Sequence, residues 1–136
     1  MADKKMKNPI VHFEIPADNV ERAKKFYEKT FGWEITKFDM PGEAYFGVRT
    51  TEVGKDMRPT TPGAINGGMM KRKNKGQPFM NYIHVESIDK MAKLVEKNGA
   101  KMCMPKTEIG KGMGWIAAFI DTEGNIMGLH ELGKKM

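Results

Sequence analysis

Apolar and polar positions along the chain change period several times, and one stretch sets the pattern for the rest. It runs from Ile10 to Trp33 and reads IVHFEIPADNVERAKKFYEKTFGW. Val11, Phe13 and Ile15 share one face of a strand, and His12 and Glu14 share the other. Pro16 is expected to end that strand, because it cannot donate to a ladder. Asp18 or Asn19 caps the helix that follows, with Asp18 and Glu21 spaced as in a capping box. Val20, Ala23, Tyr27 and Phe31 recur at helical spacing and Phe26 widens the stripe, while Lys24, Lys25, Glu28 and Lys29 fall outside it. Gly32 sits where a helix takes a left-handed stop.

The pattern then turns to short alternating runs. Strands are predicted over 33–38, 44–49 and 63–71, with a turn at Pro41-Gly42 and a loop over 51–63 carrying Gly54, Pro59 and Pro62. The three glycines of GAINGG weaken the last of these strands and permit a close approach of backbone or ligand. A polar connector, 73–78, joins this half to a second one. There 80–85 reads as a strand, Ser87 as a cap, and Ile88, Met91, Ala92 and Val95 as a helical stripe stopped at Gly99. Strands follow at 101–104, before Pro105, at 115–120 and at 125–132. Glu108 to Gly114 reads as a mobile glycine-rich loop, and its GKGMG run lacks the spacing of a phosphate loop.

The order strand–helix–three strands therefore occurs twice. Asn19 recurs as Ser87 and Gly32 as Gly99, 68 and 67 residues on. A repeat of half the chain is stronger fold evidence than any single motif. It predicts an α+β fold of two βαβββ modules, about 9–72 and 79–133, within one domain spanning 1–136. Each helix covers one face of a small sheet, so the two sheets form a curved, partly open barrel-like mixed assembly with the helices outside.

Composition narrows the classes of function. No run reaches the roughly 20 apolar residues of a membrane span. The start MADKKMKNP has charge without an apolar stretch behind it, unlike a secretory signal. One cysteine, Cys103, excludes an internal disulfide framework and reads as a small core residue, and a cytoplasmic location is expected. The net charge of +6 is spread over tails and loops, including Lys71, Arg72, Lys73 and Lys75. It argues for attraction of a small anion and against nucleic-acid binding, because no recognition motif accompanies it. Thirteen methionines against three leucines mean that methionine takes over leucine's place in the core.

The HFEIPADNVERAKKFYEKTFGWEI stretch, its partner YIHVESIDKMAKLVEKNGAKM and the ending FIDTEGNIMGLHE resemble the vicinal oxygen chelate superfamily. That superfamily includes glyoxalase I, extradiol dioxygenases, methylmalonyl-CoA epimerase and bleomycin resistance proteins. The resemblance covers nearly the whole chain beyond residue 8 and speaks for fold more than for activity. It implies a small-molecule site, a homodimer and, in the metal-dependent members, four ligands on the first and last strands of the two modules.

Carried over residue by residue, the first ligand position is His12 and its repeat is Met80, a poor ligand for a hard divalent ion. The last-strand glutamate position, four residues beyond Gly124, is Gly128. The corresponding strand GAINGGMM offers only the side-chain oxygen of Asn66. The resemblance thus points to a small-molecule-binding protein without the usual metal. Its cavity residues are His12, Glu14, Met80, Tyr82, His84, Trp115 and His130, and its ligand is small and anionic or planar. The alternative is a divalent-metal-dependent lyase or dioxygenase with a relocated site at His12, Glu14 and His130. If the protein is an enzyme without metal, Glu14 is the candidate general base. Glu131, one residue past His130, is expected to face solvent.

Overall fold

The computed structural model describes residues 7–38, 44–110 and 113–133. The predicted Pro41-Gly42 turn, Lys4, Lys5, Lys134 and Lys135 of the tails and the middle of the GKGMG run lie outside the described residues. The chain divides into two compact units, one of residues 12–80 and the other joining the residues up to Val11 with those from Asn81 onward.

The first unit holds β1 (Ile10–Ala17, all but its first two residues), α1 (Val20–Phe31), β2 (Glu34–Phe38), β3 (Tyr45–Arg49) and β4 (Gly67–Lys71). Its strands lie in the order β2-β3-β4-β1. The pairings β2–β3 and β3–β4 are antiparallel, and β4–β1 is parallel. Local chemistry starts and stops the helix as the sequence indicated. The side chain of Asn19 accepts from the Arg22 amide at 2.9 Å, and Gly32 takes φ 74° with its amide on the Glu28 carbonyl. A cap of this kind contributes about 1 kcal/mol. Asp18 takes no part in capping and pairs instead with Arg72 Nε at 2.9 Å.

Val20, Ala23 and Tyr27 pack against Ile15, Ala17, Ile35, Phe46, Val48 and Met69. Tyr27 stacks on Trp33 with centroids 4.9 Å apart and rings 4° from parallel. Phe26 and Phe31 remain more than half exposed, so the outer part of the stripe stays in water. Methionine does fill core space at Met69 and Met70, while Met57 is exposed.

Pro16 does not end β1, which runs on to Ala17. The Ala17 carbonyl accepts from the Arg72 amide, so Ala17 turns its polar groups toward β4. Pro16, one residue earlier, points its nitrogen away from β4, and its missing N–H costs that pairing nothing. The fourth strand starts at Gly67 and not at Gly63, because 64–66 run without regular pairing.

The second unit holds β5 (Met80–His84, from Asn81), α2 (Ile88–Lys97), β6 (Lys101–Gly110), β7 (Gly114–Ile120) and β8 (Ile126–Glu131), in the order β5-β8-β7-β6. Again one pairing, β5–β8, is parallel and the others antiparallel. The Ser87 hydroxyl caps α2 at Lys90 N. Val85, Ile88, Ala117 and Leu129 form the core, with Ile83, Met91, Met102, Trp115 and Phe119 against it.

Two expectations fail in β6. The strand passes through Pro105, and Glu108 and Gly110 pair with Trp115 and Gly114, where a mobile loop was expected. Register shifts flank Pro105, and β6 lies at the edge of its unit's strands. Bulges and edges are the places where a strand tolerates proline. Cys103 falls in one of those shifts and is exposed, not a core residue.

Candidate functional site

Strand alternation sends His12 and Glu14 to the face of the first unit opposite α1, because Phe13, Ile15 and Ala17 face the helix. Tyr45 comes from β3 to join them. Its hydroxyl donates to Glu14 Oε2 at 3.3 Å and lies 3.2 Å from His12 Nε2, while His12 Nε2 and Glu14 Oε2 are 3.7 Å apart. A phenol has one proton to give, so with that proton on Glu14 the imidazole is the donor in the other bond. All three side chains are partly buried.

Glycine makes this arrangement possible. The pairings place Thr36, Gly47, Gly68 and Glu14 in one row across the four strands. A Cβ at Gly68 would stand 1.7 Å from Tyr45 Oη, and a Cβ at Gly47 would stand 2.7 Å from the Phe38 ring. The two aromatic side chains thus lie down over a two-glycine floor. That Tyr45 stands beside His12 and Glu14 follows only from the strand register.

Beside the floor, Thr36, Phe38, Arg49, Val53, Met57 and Asn66 line a cleft of about 360 Å³. The Asn66 side-chain oxygen is not presented to it as a ligand, because it accepts from Thr50 N at 2.7 Å, from Thr50 Oγ1 and from Thr51 N. The basic run 71–75 lines another open cleft, but Arg72 is engaged by Asp18 and by the carbonyls of Pro16 and Gln77.

The second unit repeats the device. Tyr82 pairs with Gly128, and His84 with His130, all on the face opposite α2. A Cβ at Gly128 would meet the Tyr82 ring at 2.3 Å. Met80 opens the same strand. Trp115, read with the cavity residues, instead faces the helix side, where Lys106 Nζ sits 4.9 Å from its ring centroid. Glu131 also turns to that side, and that side is not solvent. It accepts from Ile88 N at 2.8 Å at the start of α2 and lies 3.7 Å from Lys106. The hydrogen bond to Asp89, and then the charge of Glu131, hold the Lys106 ammonium above its ordinary range.

The residues present do not fit the four-ligand divalent site of the metal-dependent relatives. His12 supplies an imidazole, but Met80 offers a thioether. Gly128 and its counterpart Gly68 offer nothing, and the space of each missing side chain is taken by a tyrosine. Among the described residues no group of three or more histidine, cysteine, aspartate or glutamate side chains converges as a metal cluster.

A family model described as bleomycin resistance protein-like N-terminal matches residues 9–48. A glyoxylase-like domain-containing protein of Didymella fabae is 36% identical over 122 residues, covering 85% of this chain and 88% of that protein. The chain belongs to the vicinal oxygen chelate superfamily.

Solved structures of the superfamily share its fold. The hypothetical protein BH1468 from Bacillus halodurans C-125 aligns with a TM-score of 0.68 at 16% identity, over 96% of this chain and 99% of its own. The methylmalonyl-CoA epimerase of Streptomyces coelicolor, solved with 2-nitronate-propionyl-CoA, gives 0.66 at 14% identity, over 92% and 97%. The doubled strand–helix–three-strand order and the single parallel pairing in each unit are the α+β arrangement expected of this superfamily.

Proposed function

We propose that this member of the superfamily binds a small organic molecule and works without the usual metal. The observation that carries the reading is the Tyr45 hydroxyl. It stands where a side chain at Gly68 would project and joins His12 to Glu14 by hydrogen bonds. A ligand oxygen that takes the place of one of these internal bonds can accept from the phenol or the imidazole, the donors this chain has at a position where metal-dependent relatives use a cation. If the bound molecule reacts, Glu14 is the base, oriented by Tyr45. Met80, Tyr82, His84 and His130 are further candidates for ligand contact. The CoA-ester complex of the Streptomyces coelicolor epimerase supports a small-molecule ligand.

The test has two parts. Protein purified without a histidine tag is analysed for Fe, Zn, Ni and Mn, and a broad compound library is screened by thermal shift. Substoichiometric metal together with saturable binders is the expected result. Stoichiometric metal that disappears in His12→Ala would overturn the metal-free reading. It would favour a lyase or dioxygenase with a relocated site, for which the 3.7 Å approach of His12 and Glu14 is a starting pair of donors. We also propose a cytoplasmic homodimer, and light scattering during gel filtration checks the dimer.

A further inference from the structure

We infer that the cleft beside the glycine floor is built for a flat organic carboxylate, held by Arg49 and packed against Phe38 and Met57. This rests on the small-molecule reading above and names the ligand's chemistry. The cavity, about 360 Å³, lies at the small end of the range for ligand pockets, and residues 34–67 supply all of its lining.

Its floor is aromatic and open. Phe38 is 50% exposed and lies across Gly47, where a Cβ would come within 2.7 Å of the ring. A glycine at this point keeps the ring flat against the strand, and a flat exposed ring is a stacking surface. Val53 and Met57 supply further apolar lining. Met57 takes φ 65°, a left-handed backbone that a residue with a Cβ rarely adopts, and remains 66% exposed. The surrounding loop enforces it. Met57 N bonds the Gly54 carbonyl, Gly54 N bonds the Arg58 carbonyl, and Val53 bridges to Pro59. A strained residue held in place by its surroundings marks a position with a use, and a thioether side chain adapts to the face of an aromatic ligand.

The charged end is Arg49. Its guanidinium meets Glu34 at 4.0 Å, and both side chains are substantially exposed. An exposed pair at that distance contributes little, whereas the planar fork of arginine binds a carboxylate through two parallel hydrogen bonds. A ligand carboxylate therefore displaces Glu34 at low cost. Thr36 adds a polar group to the lining.

The probe is 1-naphthoate, titrated into the full chain by calorimetry, with 1-naphthamide as the neutral counterpart. Naphthoate is expected to bind saturably at one site. Arg49→Gln should weaken it at least about tenfold, the effect of losing a charge-assisted hydrogen bond, and change naphthamide less than about twofold. Phe38→Ala should weaken both compounds. Glu34→Gln, which removes the competing carboxylate, should tighten naphthoate alone and so serves if Arg49→Gln fails to fold. Unchanged naphthoate affinity in both Arg49→Gln and Glu34→Gln overturns the inference. So does a wild-type chain that binds other library compounds but not naphthoate, and in both cases small-molecule binding itself stands. A chain that binds nothing in the library overturns the small-molecule reading as well.

Discussion

Replacing Gly68 with alanine tests the central geometry of the site. The backbone of Gly68 lies outside the left-handed region, so alanine meets no conformational penalty there. The difficulty is space. The new methyl group would stand 1.7 Å from Tyr45 Oη, 2.3 Å from Cζ and 3.0 Å from Cε1. Carbon contacts settle at about 3.5–4.0 Å, so the ring must retreat by roughly 1.5 Å. Its bonds to His12 at 3.2 Å and Glu14 at 3.3 Å have no such slack, and both break. Overpacking costs about 1–3 kcal/mol and each lost bond about 1 kcal/mol, against about 0.5–1 kcal/mol regained by removing a strand glycine. The net loss is about 3 kcal/mol, or roughly 10 °C in Tm for a chain of this size. In a Tyr45→Ala background the obstacle is gone, and the same substitution should be neutral or stabilising by up to about 1 kcal/mol. Urea denaturation of the four proteins of this double-mutant cycle measures the coupling. Equal costs for Gly68→Ala in both backgrounds would refute the stacking of Tyr45 on Gly68.

Other expectations follow from single contacts. Glu131→Ala removes the carboxylate that accepts from Ile88 N, so α2 should lose about 1 kcal/mol, seen as faster amide exchange of Ile88. Asp121 accepts from the amides of Asn125 and Glu123, and the Asn125 bond first, then that of Glu123, hold its carboxyl below the ordinary 3.8. A group lowered on folding adds stability that is fully present above 3.8 and is lost as pH falls through the folded value. Urea midpoints between roughly pH 2 and 5 should therefore fall less steeply in Asp121→Asn than in the parent. Cys103 is exposed, so a thiol reagent should label it completely in the native protein, whereas slow labelling limited by unfolding would contradict its placement.

What the sequence determined by itself is the module and its repetition. Asn19, Gly32 and Ser87 act within a turn of their helices, and the stripes of α1 and α2 follow from 3.6-residue spacing, so none of these needs a distant partner to be read. Strand alternation likewise put His12 with Glu14 and separated Glu131 from His130. It could not say what each face meets. The face of Glu131 turned out to hold the first turn of a helix, and Trp115 shares it. Pro16 and Pro105 read as stops because a proline's missing donor is visible in sequence. The direction in which its nitrogen points, or the bulge that excuses it, depends on pairing.

The tertiary structure alone decided the site. Tyr45 reaches Glu14 across 31 residues of chain and lies over Gly68 because β3–β4 is antiparallel and β4–β1 parallel in one particular register. Phe38, Arg49 and Met57 meet around a cleft only because β2 pairs with β3 and a bridged loop turns back beside them. Periodicity reports the face a side chain takes. Register and loop closure, which depend on contacts far apart in the chain, fix its neighbours.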